Sequence, residues 1–461
     1  MASTLPEQIE AVVIGGGQAG IAASEHLGKR GVPHVVLERE RIVERWRTGR
    51  WDSLVANGPA WHDCFPGSGF DDVDPDAFPG KDRVAQYFID YAAQLDAPIR
   101  EGVEVTSARR HDGERGFHLE TTAGPINAKY VVVATGPFQI PVIPSLVPAD
   151  APVEQLHSTD YKRPEQLPAG GVLVVGGGAS GVQIADELNR AGRDVHIAIG
   201  PHTRPPRRYR DRDMVWWLGA LGMWDMQTPP AGAEHVTIAF SGAYGGRTID
   251  FRTLAAEGIT LHGRAASYAD GVMRFDDDLA ANIAEGDRFY LEMLDLADAY
   301  AARNGLGLPE EPSARELGPL PASVTDPMLE LDLAAAGITS IIWATGFRTD
   351  YGWLEVDCFD DRGRPRHQRG VGAEPGLYFL GLPWLSHRGS SLIWGVWHDA
   401  THHLRLPHGT GGRAILLPLE HQRPRHHRDG REPVPRRPGH RDALADADAV
   451  LLGGLAPRRV G

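Results

Sequence analysis

Two stretches of this chain repeat one pattern of apolar and polar positions. Ala11-Val12-Val13-Ile14 and Val172-Leu173-Val174-Val175 are unbroken apolar runs, each followed by a glycine-rich turn and then by a helix-compatible run, to Leu27 and Leu188 respectively. A further apolar strand follows each helix, "HVVLE" ending at Glu38 in the first copy and "DVHIAIG" ending at Gly200 in the second. An apolar run without alternation predicts a strand covered on both faces, as parallel strands are.

The turns carry the chemistry. The first reads Gly15-x-Gly17-x-x-Gly20, with Gln18 and Ala19 inside it. Gly15 permits the tight turn, Gly17 lets a pyrophosphate approach the backbone, and Gly20 lets the helix pack on the strand. Free amides at the helix start attract the phosphate by up to about 2 kcal/mol. Glu38 closes the next strand, where a carboxylate accepts from both ribose hydroxyls, and Arg39 follows it. Strand, fingerprint, helix, strand and acid in that order predict a dinucleotide site, with FAD expected by analogy from its N-terminal position.

The second turn reads Gly176-x-Gly178-x-x-Gly181, with Ser180 inside it, but Ile199 and Gly200 stand where Glu38 stood. Arg204, Arg207, Arg208 and Arg210 follow. A 2′-phosphate is repelled by a carboxylate and held by guanidinium forks, so this copy is expected to take NADPH. The alternative for any single arginine is a solvated loop, or pairing with Asp211 and Asp213. The predicted fold class is therefore α/β, with two Rossmann-like dinucleotide-binding domains. A bound flavin receives hydride from a nicotinamide coenzyme across the cleft between them.

Composition narrows the setting. The 461 residues, 42% hydrophobic and 23% charged, suit a globular protein of two or more domains. A net charge of −14 argues against nucleic acid and anionic membranes as partners. No apolar run is long enough to span a membrane, and the N-terminus lacks the basic and apolar parts of a signal peptide, so a cytoplasmic location is expected. The two cysteines, Cys64 and Cys358, form no Cys-x-x-x-x-Cys pair, which speaks against disulfide reduction. No His, Cys or carboxylate spacing suggests a metal, and no nucleophile elbow appears.

Other residues carry a resemblance. Trp46 with "RTGRWDSL", the triplet Asn57-Gly58-Pro59, the turns "VVVATGPF" and "IIWATGF", and His157-x-x-x-Tyr161 resemble the class B flavin-dependent monooxygenases, in particular the flavin-containing monooxygenases. The likeness covers roughly residues 8–400, and it fails at Ala151 and Val153, where the family has Phe and Gly. It implies that Trp46 contacts the flavin, that Asn57 sits near its C4a and donates to an oxygenated flavin, a C4a-(hydro)peroxy species, and that the two Ala-Thr-Gly turns mark domain crossings. The implied activity is NADPH- and O2-dependent oxygenation of a soft heteroatom, N or S, in a small molecule. Baeyer–Villiger oxygenation of a ketone and an NADPH oxidase or flavin reductase without oxygenated product are the alternatives. Asn57 has a competing reading as a plain turn residue. His157 is favoured as a hinge group hydrogen-bonded to backbone.

The expected layout is a discontinuous FAD domain, 1–160 and 320–400, with the NADPH domain, 161–319, inserted. The aromatic segment "YRDRDMVWWLGALGMWDM" reads as core, with a pocket wall or homodimer face as alternatives. The acidic stretch "FDDDLAANIAEGDRFYLEMLDLADAYAARNGL" reads as an amphipathic helix or helix pair with a solvated outer face. Residues 401–461 contain no Phe, Tyr or Trp but seven prolines and eleven arginines, and are expected to be a disordered or non-native tail.

Overall fold

Two sheets carry the molecule, one of ten strands built on five parallel ones and one of five parallel strands. The computed structural model describes residues 5–111, 115–227 and 237–404; the expectation for the tail lies almost wholly outside them. In space the parallel part of the first sheet runs Ile99–Glu101, His34–Glu38, Gln8–Ile14, Ile126–Val133, Leu377–Phe379, and antiparallel strands extend it from Ile126–Val133 and Leu377–Phe379. The second runs Thr260–His262, Val195–Ala198, Gly171–Val175, Ile338–Trp343, Glu154–His157. The two parallel orders are the same, so the repeat seen in the sequence extends to the parallel part of each sheet. One difference marks the connectivity: the last strand of the first sheet arrives from the C-terminal side, and that of the second from the N-terminal side.

The continuous apolar runs are explained by burial on both faces. Ala11 and Val13 enter one core, Val12 and Ile14 another. Val172 and Val174 likewise part from Leu173 and Val175. Each side chain of this size taken wholly out of water contributes about 1.5–3 kcal/mol. Helices Gln18–Lys29 and Ala179–Arg190 cover the sheets, joined by Ile393–His403, which lies on the first of them. Buried Glu25 ties that pair together, accepting from Tyr91 Oη at 2.8 Å and Trp397 Nε1 at 2.6 Å.

Two expectations are corrected by packing. The second sheet reaches past 161 and 319 by one strand on each side, because Ile338–Trp343 pairs with Gly171–Val175 and brings Glu154–His157 with it. The helix Leu279–Asn304 is more than an outer face. It buries Phe289, Tyr290, Met293, Leu294 and Tyr300 against Met214, Trp217 and Met223, so the aromatic segment is the partner core of this helix.

The crossings between the two units are short. Ile140–Pro141 pairs antiparallel with Phe347–Arg348, and Val142 N donates to Gly346 O at 3.0 Å. His157 is fully buried here: Nε2 donates to Gly346 O at 3.0 Å, while Nδ1 accepts from Thr159 N at 3.2 Å. Burial lowers its pKa, and it holds the hinge as a neutral ring.

Candidate active site

The two fingerprints share one construction at their first and last glycines. A Cβ on Gly15 would lie 2.6 Å from Ala134 O, and one on Gly176 2.5 Å from Ala344 O. These oxygens belong to the two Ala-Thr-Gly turns, so each turn closes over the first glycine of its own fingerprint. Gly20 and Gly181 would place a Cβ 1.9 and 1.8 Å from Gly15 O and Gly176 O, so only glycine lets helix and strand meet. A Cβ on Gly17 would meet nothing within 4 Å, which leaves room for a phosphate at a helix start that no side chain caps.

The copies differ at the ribose position. Glu38 Oε2 accepts from Gly16 N at 2.7 Å, and its Oε1 accepts from Glu40 N at 2.9 Å. In the second copy Ile199 faces Gly177, with Cγ2 3.0 Å from the Cβ position of that glycine. A carboxylate is thus present in one cradle and replaced by an alkyl group in the other. Both cradles fit a dinucleotide, and the second tolerates a phosphorylated ribose.

Around the first cradle, Trp46 Nε1 donates to Gln18 Oε1 at 3.2 Å, and Gln18 Nε2 donates to Ser391 O at 3.0 Å. The C-terminal segment is thereby tied to the helix start. Ala19 packs where a Cβ on Gly381 would come within 2.7 Å. Arg39 is exposed, 3.9 Å from Glu40 Oε1. Ser180 is half-buried in the first turn of the second helix.

The arginine expectation is corrected in part. Arg204 is 2% exposed and bound to Asp287, with Nε 3.0 Å from Oδ1. Arg207 is 1% exposed, forked onto Asp213 at 2.7 Å and packed between the rings of Phe78 and Phe240. Buried guanidinium groups held by carboxylates are structural ties, not phosphate receptors. Arg208 is exposed, but lines an open groove with Asp74, Asp76, Phe78 and Tyr244. Arg210 pairs with Asp298 at 2.9 Å. The guanidinium stem beside the second ribose position is that of Arg264, 3.9 Å from the Cβ position of Gly200. It lies just past Thr260–His262, a strand that becomes a neighbour only through its pairing with Val195–Ala198.

Asn57 lies where the two units meet, and is exposed. Gln183 Nε2 donates to Asn57 Oδ1 at 2.9 Å and to Phe240 O at 3.2 Å. Arg207 Nη1 donates to Asn57 O at 2.7 Å. Gly58 is required beside it, since a Cβ there would lie 2.2 Å from Asp63 Oδ1. Tyr161, of the His157-x-x-x-Tyr161 motif, is fully buried, with Oη donating to Glu187 Oε2 at 2.8 Å. Ser53 Oγ donates to the other oxygen of Glu187 at 2.6 Å, a second tie between the units. Gln183 and Glu187 were not singled out from the sequence, because only the packed interface reveals their partners.

The cysteines do not meet. Cys64 packs on one face of the first sheet and Cys358 on the other, and burial pushes both thiols up to about 11. No helix among the described residues is long and apolar enough to cross a membrane.

Comparison with known proteins agrees with this architecture. Residues 12–219 match the family described as pyridine nucleotide-disulphide oxidoreductase. The CzcO-like oxidoreductase of Geobacillus kaustophilus is 32% identical over 397 residues, covering 85% of this chain and 96% of that protein. The indole-3-pyruvate monooxygenase YUCCA1 of Oryza sativa is 33% identical over 197 residues, covering 41% of this chain and 47% of the relative. Among solved structures, the flavin-containing monooxygenase of Stenotrophomonas maltophilia superposes with a TM-score of 0.59 at 20% identity, covering 86% of this chain and 97% of that one.

Proposed function

The chain belongs to the CzcO-like oxidoreductases and is an FAD- and NAD(P)H-dependent oxidoreductase with the fold of the flavin monooxygenases, and from that premise we propose that it uses NADPH to oxygenate a soft heteroatom, nitrogen or sulfur, of a small molecule. When bound, FAD accepts hydride from NADPH and activates O2. The chain's residues do the rest. The Gly15–Gly20 cradle and Glu38 hold the flavin nucleotide; the Gly176–Gly181 cradle holds the coenzyme, with Arg264 as the phosphate contact.

The observation that carries the reading is the orientation of Asn57. The carbonyl of Phe240 only accepts, so the amide of Gln183 must turn its NH2 group that way, and the same NH2 meets Asn57. Asn57 therefore presents Oδ1 to Gln183 and leaves Nδ2 as a donor in the cleft. A fixed neutral donor stabilises developing negative charge on oxygen without changing its own protonation. The separated cysteines leave no route for electrons into a disulfide among the described residues.

The test is a balance sheet of NADPH consumed, H2O2 released and product formed, run with amine, thioether and ketone panels. Product from amines or thioethers supports the reading. Product from ketones alone gives the Baeyer–Villiger alternative, and H2O2 equal to NADPH with every compound gives the oxidase.

A further inference from the structure

Close to Asn57 lies a group that the cofactor cradles do not use. His62 is 8% exposed, and its Nδ1 stands 2.8 Å from Asp63 Oδ1. Asp63 Oδ2 in turn accepts from Gly58 N at 3.0 Å, the amide directly after Asn57. The carboxylate accepts only, so it places the proton of His62 on Nδ1 and leaves the lone pair on Nε2. That Nε2 is buried and has no hydrogen-bond partner. Core histidines ordinarily find one.

The surroundings are aromatic. The ring of His62 lies 5.4 Å from Trp224 and 5.9 Å from Trp394, near-parallel to both, and Trp61 meets it edge-on at 5.6 Å. Trp224 and Trp394 are half-buried and 6.4 Å apart. They come from different parts of the chain, the turn Met223–Asp225 and the helix Ile393–His403. The segment just before that helix is the one whose Ser391 O is held by Gln18 at the first cradle. The histidine therefore sits between the Asn57 turn and the segment laid over the flavin cradle.

We propose that His62, oriented by Asp63 and walled by Trp224 and Trp394, is the substrate-recognition group, taking a flat aromatic molecule whose N–H or O–H donates to His62 Nε2. This rests on the monooxygenase reading for its place in the reaction, but its recognition chemistry is separate. Indole faces stack with a planar ligand, and the single buried acceptor selects for a donor on its edge.

Isothermal titration of the FAD-loaded protein with indole and with benzofuran tests it, since the two share shape and differ in the ring N–H. Indole is expected to bind at least tenfold more tightly. His62→Phe removes the acceptor and keeps a ring, and is expected to abolish the preference; Trp224→Ala weakens both ligands together. Asp63→Asn provides a second arm that does not depend on His62→Phe folding. With Gly58 N still claiming the amide oxygen, the Asn NH2 faces Nδ1, forces the proton onto Nε2, and reverses the preference toward benzofuran. The proposal is overturned if the wild type binds neither compound, or if the indole preference survives both substitutions. It is equally overturned if His62→Phe shifts the flavin absorbance and leaves the preference unchanged, because Nε2 then serves the flavin. Failure of the monooxygenase reading would instead appear as H2O2 matching NADPH, whatever these titrations show.

Discussion

Gln183 Nε2 donates to Asn57 Oδ1 at 2.9 Å, and this contact joins the coenzyme-side helix to the residue nearest the expected oxygen chemistry. Its direction is set by Phe240 O on the other hydrogen of the same NH2. Losing one fixed donor to a developing oxyanion costs about 2.7–4 kcal/mol, or a factor of roughly 10²–10³. Asn57→Ala should therefore keep NADPH oxidation while product falls by about that factor and H2O2 rises. Gln183→Glu makes the sharper case. A carboxylate repels Asn57 Oδ1 and turns the amide round, so the variant should uncouple with Asn57 intact. Product yield per NADPH is the readout, and tight coupling in both variants would remove Asn57 from the chemistry.

Glu38 should govern flavin retention. Its Oε2 accepts from Gly16 N at 2.7 Å, which holds the turn in shape at the proposed ribose position. A hydrogen bond to a charged group contributes about 1.5–3 kcal/mol. Glu38→Ala is expected to raise the FAD dissociation constant roughly 10–100-fold, measured by flavin fluorescence on refilling the stripped protein. The fold should survive, since the side chain is only half-buried. An unaltered dissociation constant would mean that the ribose is bound elsewhere.

The arginines separate stability from coenzyme choice. Arg207→Ala leaves Asp213 buried without its cation, and breaking such a pair costs about 3–5 kcal/mol. A melting temperature lower by on the order of 10 °C is expected, with little change in NADPH preference among the protein that remains folded. Arg264→Ala should do the reverse. It frees only an exposed pair with Asp276, worth at most about 1 kcal/mol, yet removes the cation beside Gly200. KM for NADPH should rise about tenfold while KM for NADH stays put. Equal changes for both coenzymes would place the phosphate contact elsewhere.

These contrasts show what was legible in the chain. Both fingerprints, Glu38 and the missing acid at Ile199 could be read locally, because a glycine turn and its ribose residue are joined by one helix and one strand. The sheet repeat was only half visible: the strands at 126–133 and 338–343 complete each fold from far along the chain. Arg204 reads as a phosphate ligand because Asp287 is distant in sequence, whereas the pairing of Arg207 with Asp213 is the local alternative that the sequence offers. Arg264 had no local signal at all; it reaches Gly200 only because Ala198 pairs with His262. Gln183, buried in a helix, looked like an ordinary polar position until the second unit was packed against Asn57.

Acid sensitivity follows from the buried imidazoles. His262 is 1% exposed, stacked 4.2 Å from Phe275, and 2.8 Å from His196 Nδ1; burial first, then His196, lowers its pKa to about 4. His26 is lowered to about 4 as well, again chiefly by burial. In the unfolded chain such groups take a proton near pH 6.5, so the unfolded state binds protons that the native state refuses. The stability this confers is complete above about pH 6.5 and drains away as pH falls toward about 4. A single group changes stability by at most about 1.4 kcal/mol per pH unit across that window. His262→Gln removes one of these protons. Chemical denaturation at pH 7.5, 6.5 and 5.5 should show the wild type losing stability faster than the variant, so that the gap between them narrows as the pH drops. A gap that stays constant or widens on acidification would mean that folding does not lower the pKa of His262.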